Sequence, residues 1–436
     1  MRIAFYTLGC KVNQFETAAI AESLACKGGE IVSFQDAADL YVINTCAVTS
    51  KAAYQSRQAI RRARRINQAA RVIATGCYVQ IGLQELLETM PCKVCLVGND
   101  QKHTIPEIAF EDLGCLEVYT GDVGMVKKIA PFFITAPFDR TRAYVRVQDG
   151  CDAFCSYCIV PYTRGRSRSL APEAVLRQVE ALAVGGIKEV VLTGIHIGLY
   201  GRDLAQKTCL LDLIKALCPA FPDIRFRLSS IEPTEVSDEL LAFAGSQHNF
   251  CPHWHISLQS GSEKVLSAMN RRYKPGLFVQ LVSKIKETMP NAAIGVDVMA
   301  GFPVEDEQDF LMTLNLLKDL PVAYVHAFPY SKRQGTLAAV MKDVVPQRER
   351  VRRAAALRAL GEVKRMEFWR SQLRKTFECL VESRTGETGD WFGHTENYIP
   401  VIIKGLSNAH MQNLIVPVRL DAVKDDRVVA FLDMEG

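Results

Sequence analysis

Short runs of β-forming residues alternate with helical segments along most of this chain, and that alternation limits the possible folds more than any other feature. In residues 1–98 the apolar runs are typical of buried parallel strands, and amphipathic segments separate them. The runs are RIAFYTL, IVSF, LYVIN, RVIAT and KVCLV. This pattern predicts an α/β domain built on a parallel sheet.

The alternation resumes in residues 141–372 as six strand–helix units. The strand runs are AYVRVQ, EVVLT, RFRLSS, HWHISL, AIGVDVM and AYVHAF. Six units are too few for an eightfold barrel, so we predict a partial, open (β/α)6 barrel with its site at the carboxyl ends of the strands. Residues 99–140, in which Pro131 and Pro137 flank an apolar patch, are predicted to be an irregular connecting segment.

The pattern changes again in residues 373–436, where short β runs are separated by turn signals such as TGETGD and LSNAH. The runs are FECLVES, WFGHTENYIPVIIKG, NLIVPVRL and RVVAFLDM. They predict a small β-barrel of the oligonucleotide-binding type. With 436 residues and 48% hydrophobic content, the chain is long enough to bury several separate cores.

Cys151, Cys155 and Cys158 lie close together in the segment CDAFCSYC, directly after the first predicted barrel strand. Iron–sulfur cubanes are normally held by four cysteine thiolates, so three clustered thiolates can hold a cluster and leave one iron open to a small molecule. A structural zinc site normally has four protein ligands, and this segment has no second C-x2-C pair nearby. Chance clustering is the remaining alternative.

Three further cysteines each follow a predicted strand of the first domain. Cys10 follows RIAFYTLG, Cys46 follows LYVINT, and Cys77 follows RVIATG. Because ligands of parallel α/β sheets collect at the carboxyl ends of the strands, these positions predict a second three-thiolate site. Cys92 and Cys95 have C-x2-C spacing, but a single pair of this kind beside an apolar strand is more typical of structural cysteines.

Basic residues are concentrated in two predicted helices, although the net charge is only +4. Residues 57–71 carry six arginines and no acidic residue, and residues 348–375 carry ten Lys and Arg against three Glu. Four arginines of the first segment share one helical face by spacing: Arg57, Arg61, Arg64 and Arg65. Such faces neutralise phosphates or are simply solvated, and the two together favour a nucleic-acid partner.

The first ten residues, MRIAFYTLGC, contain no long apolar core followed by a cleavage site, and no later apolar run is long enough to span a membrane. We therefore expect a cytoplasmic protein without a membrane partner. Fourteen cysteines in a reducing compartment are unsuited to a disulfide framework, so those that are not small core residues are candidates for metal binding or redox chemistry.

CDAFCSYC, with the aromatic Tyr157 before its last cysteine, resembles the cluster motif of the radical S-adenosylmethionine superfamily. Over its whole length the chain is similar to the methylthiotransferases of that superfamily. The motifs that carry this resemblance are TLGCKVN, NTCAVT, TGCYVQ and CIVPYTRGRSRS. KVN after the first cysteine and AVT after the second are most similar to the MtaB branch, which modifies N6-threonylcarbamoyladenosine beside the tRNA anticodon. The branches acting on isopentenyl-type adenosine and on a ribosomal-protein aspartate, MiaB and RimO, are the alternatives.

The resemblance implies two [4Fe–4S] clusters and S-adenosylmethionine as cofactors. Cys151, Cys155 and Cys158 would hold the cluster that binds S-adenosylmethionine, whose cleavage yields a radical able to take hydrogen from C2 of the adenine ring. Cys10, Cys46 and Cys77 would hold an auxiliary cluster that carries the sulfur to be inserted. The implied partners are tRNA, bound through its anticodon stem–loop, and an electron donor such as a reductase, flavodoxin or ferredoxin.

The resemblance also implies that the C-terminal β-barrel is a TRAM domain, an RNA-binding module. One of Trp391, Phe392 and Tyr398 is expected to stack on a base, although an aromatic residue in so small a barrel is more often part of the core.

Five residues are predicted to contact S-adenosylmethionine: Tyr157, Gly194, Ser230, Gln259 and Gly301. Gly194 follows the second barrel strand, where this superfamily often contacts the amino group. Ser230 and Gln259 are candidates for the ribose or the carboxylate, and Gly301 for close approach to the adenine. The glycines, Ser230 and Gln259 also fit an ordinary turn or cap. Histidines at the barrel strands, namely His196, His253 and His255, are not predicted as ligands or bases.

A non-catalytic RNA-binding protein that keeps iron–sulfur clusters as structural elements belongs to a different class and would not need open irons. Both cysteine sets number three instead of four, which favours catalysis.

Overall fold

The computed structural model describes residues 1–89, 94–111, 116–135, 141–385, 389–405 and 410–433. The predicted α/β class is confirmed, with a parallel N-terminal sheet, a six-stranded partial barrel and a closed C-terminal β-barrel. Cys92 and Pro137 lie outside the described residues.

The N-terminal domain is a six-stranded parallel sheet with helices between its strands. Its elements are β1 (Arg2–Thr7), α1 (Lys11–Cys26), β2 (Glu30–Val32), β3 (Leu40–Thr45), α2 (Ser50–Ile66), β4 (Arg71–Gly76), α3 (Cys77–Ile81), α4 (Leu83–Thr89), β5 (Val94–Val97), α5 (Ile105–Ile108) and β6 (Leu116–Tyr119). The strand order is β2-β1-β3-β4-β5-β6. Strand β3 is buried along its whole length because neighbouring strands and helices enclose it.

The sheet extends past residue 98, where the connecting segment was predicted to begin. β6 pairs with β5, so part of the 99–140 segment belongs to the N-terminal sheet. The sequence gives little sign of this strand because β6 is a short edge strand whose side chains are half-buried or exposed. The rest of the described part of the segment is mostly irregular, as expected.

Six parallel strands form the partial barrel. The elements of this part are β7 (Arg142–Arg146), β8 (Gln148–Asp149), α6 (Val160–Arg164), β9 (Arg168–Ser169), α7 (Pro172–Val184), β10 (Glu189–Thr193), α8 (Leu210–Ala220), β11 (Arg225–Leu228), α9 (Asp238–Ser246), β12 (His253–Gln259), α10 (Glu263–Ala268), α11 (Pro275–Thr288), β13 (Ala293–Ala300), α12 (Glu307–Asp319), β14 (Tyr324–Pro329) and α13 (Gln347–Gln372).

The strands are arranged as two sheets, β11-β10-β7 and β12-β13-β14. Bridges from Phe226 to Phe250 and from Ile231 to Ile256 join the sheets at β11 and β12. The barrel is therefore open between its first strand, β7, and its last strand, β14. Helix α1 of the N-terminal domain packs beside β7, while α13 packs against β14.

The C-terminal domain is a closed five-stranded barrel in the order β15-β16-β17-β19-β18. Its strands are β15 (Thr376–Arg384), β16 (Trp391–Thr395), β17 (Pro400–Lys404), β18 (Ile415–Lys424) and β19 (Arg427–Leu432). Its core includes Trp391 and extends to Trp369 at the end of α13 and to Ala293 and Ala323 of the (β/α) barrel. The small barrel thus packs on the (β/α) barrel at the amino ends of the strands.

Among the described residues, no helix is long and apolar enough to cross a membrane.

Candidate cluster and cofactor sites

The CDAFCSYC loop lies between β8 and α6, beyond the carboxyl end of β7, where the sequence predicted the mouth of the barrel. Hydrogen bonds fix it on two sides. The backbone N–H of Cys151 donates to Gly165 O at 3.1 Å, and Ser156 Oγ donates to Ala268 O at 2.7 Å. Asn270 Nδ2 donates to Phe154 O at 3.1 Å. The loop is therefore held in one conformation by the protein itself.

The three thiols of this loop are close enough to influence one another's ionisation. Burial, with Cys155 and Cys151 nearby, raises the pKa of the Cys158 thiol to about 12. Burial likewise raises the pKa of Cys155, against the opposing charge of Arg271. Thiolates this close together need a cation to become stable, and a bound metal supplies one. The three soft donors of one loop fit the three protein ligands of an iron–sulfur cluster.

His196 contacts this site, although the sequence reasoning set it aside as a structural histidine. Its Nδ1 lies 3.3 Å from Cys151 Sγ, and its Nε2 lies 2.6 Å from Glu235 Oε1. Burial alone would lower the pKa of His196, but hydrogen bonding to Cys151 and Glu235 raises it to about 10. The signal in the sequence is its place in TGIHIGLYG, two residues after Gly194.

Gln259 Oε1 and Ser229 Oγ, at the carboxyl ends of β12 and β11, are among the buried atoms that have no hydrogen-bond partner in the described part of the chain. Gln259 also has a positive φ of 61°, which is rare for a residue with a side chain. A buried polar atom without a partner is costly, so both atoms fit hydrogen bonding to a bound ligand. Ser230, the residue predicted from the sequence, is exposed, and its neighbour Ser229 holds the buried hydroxyl.

Contacts within the protein explain why Gly194 and Gly301 have no side chain. A Cβ on Gly194 would lie 2.9 Å from Oε1 of Gln148, whose Nε2 donates to Gly150 O at 2.7 Å. Gly301 has a φ of 71°, and a Cβ there would lie 2.2 Å from Cγ of Arg350 in α13. Gly301 therefore permits the close approach of α13, and its contact with the cofactor adenine stays a prediction.

Tyr157 faces the barrel. Arg271 Nη2 donates to its hydroxyl at 2.6 Å, and its ring meets Phe302 edge-on. Arg271 also pairs with Glu232, which lies just beyond β11. These contacts connect the cluster loop to residues that follow three of the barrel strands.

Cys10, Cys46 and Cys77 come together at the carboxyl ends of β1, β3 and β4, which are neighbours in the sheet. A Cβ on Gly9 would lie 3.0 Å from Cys46 Sγ. Burial, followed by the nearby Cys77, raises the pKa of Cys46 to about 12. The thiol of Cys10, which is exposed, also lies near Cys77 and the charge of Arg164. The geometry therefore unites the three predicted residues, and their donor set fits a second cluster.

Glu16 of α1 joins the two thiol sets through a buried network of charges. Its Oε1 accepts from Arg164 Nη1 at 3.0 Å and from Arg146 Nη1 at 2.9 Å, and its Oε2 accepts from Lys102 Nζ at 2.6 Å. All four side chains are at least 97% buried. Arg164 also pairs with Asp149 at 2.9 Å. The network fixes the N-terminal domain against the first strand of the barrel and the segment after its cysteine loop.

The motif asparagines belong to the same network. Asn13 Oδ1 accepts from Arg164 Nη2 at 2.6 Å, and its Nδ2 donates to Thr45 O at 3.1 Å. Asn44 Nδ2 donates to Asn13 O at 3.0 Å, and Lys102 donates to Asn44 Oδ1 at 3.2 Å. Residues of TLGCKVN, NTCAVT and CIVPYTRGRSRS thus contact one another directly.

The two basic segments are largely occupied by contacts within the chain. In α2, Arg57 pairs with Glu85 at 3.0 Å and Arg64 donates to Ala70 O, which leaves Arg61 and Arg65 exposed. Of the four arginines predicted to share one helical face, two therefore have partners within the chain, and the role of this face in nucleic-acid binding stays a prediction. In α13, Arg353 is buried and pairs with Glu305 at 2.8 Å. Three other basic residues near the end of this segment remain exposed, namely Arg370, Arg374 and Lys375.

The C-terminal aromatic residues face different environments. Trp391 is buried in the core of the small barrel. Tyr398 lies under the guanidinium groups of Arg142 and Arg227, at 5.4 and 4.8 Å from its ring centre. It therefore faces the (β/α) barrel. Phe392 is half-buried, as is Tyr398.

Comparisons with known proteins agree with this architecture. Residues 2–98 match the family described as uncharacterized protein family UPF0004, and residues 145–317 match the radical SAM superfamily. The fold is similar to that of the radical S-adenosylmethionine methyltransferase TsrM from Kitasatospora setae, solved with cobalamin and a [4Fe-4S] cluster. That similarity has a TM-score of 0.57 at 14% identity and covers 78% of this chain and 77% of that one. Fold and site together define a radical S-adenosylmethionine enzyme.

Sequence relatives define the family. The chain is 40% identical to the threonylcarbamoyladenosine tRNA methylthiotransferase MtaB of Aquifex aeolicus, over 93% of this chain and 97% of that protein. It is 36% identical to the protein of the same name from Bacillus subtilis, over 96% and 93%. A tRNA-2-methylthio-N(6)-dimethylallyladenosine synthase from Pseudothermotoga lettingae is 31% identical, over 96% of each chain. The chain belongs to the MtaB family of radical SAM methylthiotransferases and is an enzyme of the transferase class.

Membership of the radical SAM superfamily implies a [4Fe–4S] cluster and S-adenosylmethionine as cofactors.

Proposed function

We propose that this enzyme attaches a methylthio group to C2 of N6-threonylcarbamoyladenosine at position 37 of tRNA. The observation that carries the proposal is that Arg164, which follows the first thiol set in the chain, pairs with the buried Glu16 and lies near Cys10 and Cys77 of the second set. The names of the relatives at 40% and 36% identity supply the substrate and the reaction.

Cys151, Cys155 and Cys158 are the proposed ligands of the first cluster. When bound, this cluster and S-adenosylmethionine would supply the radical chemistry needed to activate the C2–H bond of the adenine. The chain's own residues position the reactants and exclude water. Gln259 Oε1 and Ser229 Oγ offer hydrogen bonds to the cofactor. Tyr157, Gly194, Ser230 and Gly301 remain proposed contacts, with Ser229 added beside Ser230.

Cys10, Cys46 and Cys77 are the proposed ligands of a second [4Fe–4S] cluster, the source of the inserted sulfur. Arg164 and Lys102 place positive charge beside these thiols, which favours the thiolate form that a cluster needs. Asn99 Nδ2 lies 3.6 Å from Cys77 Sγ and donates to Thr163 O at 2.7 Å, so it ties this site to helix α6.

We assign RNA binding to the C-terminal barrel, residues 373–436, as a TRAM domain, together with the exposed arginines of α2. A tRNA substrate places the enzyme in the cytoplasm. Reduction of the first cluster calls for an electron donor of the reductase, flavodoxin or ferredoxin class.

The test is nucleoside mass spectrometry after anaerobic reconstitution with iron and sulfide and incubation with S-adenosylmethionine and a reductant. Separate reactions receive tRNA bearing N6-threonylcarbamoyladenosine or N6-dimethylallyladenosine. We expect a methylthio product on the first tRNA only. A product formed only on the second tRNA would instead assign to this enzyme the reaction for which the Pseudothermotoga relative is named. 5′-Deoxyadenosine without either product would direct attention to a protein substrate, such as a ribosomal-protein aspartate.

A further inference from the structure

Lys11 is the first residue of α1 and directly follows Cys10, so it lies beside the proposed second cluster. It is close enough to Arg142 of β7, Arg227 of β11 and Asp297 of β13 to interact with their charges. These three strands belong to both sheets of the barrel. Lys11 therefore begins a helix that packs beside β7, at the open edge of the barrel, and its charge lies within electrostatic range of residues on all three strands.

Lys11 forms no ion pair and no hydrogen bond through its side chain with any residue that the structure describes. Its two cationic neighbours differ, because each has a carboxylate partner. Arg142 pairs with Glu382 at 3.1 Å, and Arg227 pairs with Glu189 at 2.8 Å. Among these three cations, Lys11 is thus the one without a carboxylate partner, and it occupies a half-buried position where an anionic ligand would be stabilised.

His255, Asp297 and His326 form a polar wall on the neighbouring strands β12, β13 and β14, which ends at the open edge of the barrel. Asp297 Oδ1 is 2.9 Å from His255 Nε2 and 3.6 Å from His326 Nδ1. Burial alone would raise the pKa of Asp297, but these two histidines hold it below its usual range, so its charge is already engaged. Exposure of the side chains rises from 7% at His255 to 23% at Asp297 and 62% at His326, which marks a path from solvent to the interior.

The candidate N6-substituents differ in the chemistry that this opening would recognise. The threonylcarbamoyl group carries a carboxylate, a hydroxyl and a urea linkage, whereas the dimethylallyl group is a hydrocarbon. A site built from charged and hydrogen-bonding groups rejects an apolar analogue because its polar groups would lose water without gaining a partner.

Resting on the function proposed above, we propose that Lys11 binds the carboxylate of the threonylcarbamoyl group and that Asp297 and His326 form hydrogen bonds with its hydroxyl and urea groups. Both ring nitrogens of His255 already have partners, Tyr324 and Asp297, so His255 orients Asp297. Lys11 is then a specificity-determining residue. It selects an adenosine whose N6-substituent is anionic.

A chemical double-mutant cycle tests this pairing. Binding is measured by fluorescence anisotropy with the reconstituted holoenzyme and no reductant, so that no turnover occurs. Two synthetic anticodon stem–loop RNAs are compared, one bearing N6-threonylcarbamoyladenosine and the other its neutral carboxamide. We expect the wild-type enzyme to bind the carboxylate RNA about 10- to 100-fold more tightly, the range of one hydrogen bond to a charged group. Lys11→Met should reduce this preference to about threefold or less, and Lys11→Arg should keep most of it.

Lys215→Met is the matched control, because Lys215 is an exposed lysine on α8, on the outside of the barrel, and its loss should leave the preference unchanged. Iron content and melting temperature show whether Lys11→Met still holds its clusters. Equal binding of the two RNAs by the wild type would overturn the inference, and this comparison needs no variant. If the same wild type still methylthiolates the threonylcarbamoyl substrate, the proposed function stands while the role of Lys11 falls.

Discussion

The contacts that hold the N-terminal domain to the barrel converge on the carboxylate of Glu16. Burial would raise its pKa, but Arg164, Lys102 and Arg146 hold the pKa well below its usual range, so the buried group is ionised. Its partners come from distant parts of the sequence. Glu16 therefore connects separate segments of the chain and also balances their charges.

Glu16→Gln removes the negative charge while nearly preserving the size of the side chain. The buried cations Arg164, Arg146 and Lys102 would then lack part of the negative charge that balances them. Breaking a buried ion pair in this way costs about 3–5 kcal/mol. We expect a loss of this size in the free energy of unfolding, measured by urea denaturation of the protein without clusters. Glu30→Gln, an exposed site on β2, should change it by less than about 0.5 kcal/mol. Equal stability of the two variants would show that the network does not hold the fold together.

At the scale of elements, the loops after β1, β3 and β4 hold the second thiol set because two glycines let them approach closely. Gly76, just before Cys77, has a φ of 103°, and a Cβ there would lie 2.5 Å from Thr45 O and 2.7 Å from Asn44 Oδ1. The end of β3 and the start of α3 touch at a distance that only glycine permits.

Gly76→Ala should therefore displace Cys77 from Cys46. We expect the iron content of the reconstituted protein to fall from about eight to about four atoms per chain, because only the cluster at Cys151, Cys155 and Cys158 remains. Gly28→Ala is the matched control, since Gly28 also has a positive φ of 88° but nothing lies within 4 Å of its added Cβ. A Gly76→Ala protein with the full iron content would contradict the assignment of the second site.

The positions of the cysteines were predictable from the sequence because the carboxyl ends of adjacent parallel strands meet at one edge. The same rule placed the CDAFCSYC loop after β7. The use of individual arginines was not predictable. Helical spacing gave Arg57 and Arg61 the same face, but Arg57 meets Glu85, which follows a different strand, while Arg61 stays in solvent.

Long-range partners explain the other differences. Glu16 and Arg164 are 148 residues apart, and no periodicity connects them. His196 looks like any strand-end histidine until the fold brings Cys151 to 3.3 Å from its ring. The close approach at Gly301 comes from α13, which begins well beyond the next strand. Local sequence patterns are therefore enough to predict the helices and strands. The contacts between domains can be known only from the whole fold.

At the scale of the whole molecule, the C-terminal barrel and the N-terminal domain occupy different sides of the (β/α) barrel. Arg225 and Arg227 pair with Glu189 at the amino ends of β10 and β11 and also donate to Glu378 O and Glu396 O of the small barrel. The N-terminal domain instead covers the side beside β7. The edge strands β7 and β14 border the open side of the barrel, with α1 beside β7 and His326 on β14, and this is where we propose that the substrate enters.

The central claim is that the two thiol sets have separate tasks, and one measurement tests it most directly. Cys155→Ala and Cys46→Ala are each reconstituted and supplied with S-adenosylmethionine, a reductant and tRNA bearing N6-threonylcarbamoyladenosine, and both 5′-deoxyadenosine and the methylthio nucleoside are quantified by mass spectrometry. We predict that Cys155→Ala forms neither product, whereas Cys46→Ala forms 5′-deoxyadenosine but no methylthio nucleoside. Methylthio product from Cys46→Ala at the wild-type level would contradict the division of tasks between the two sites.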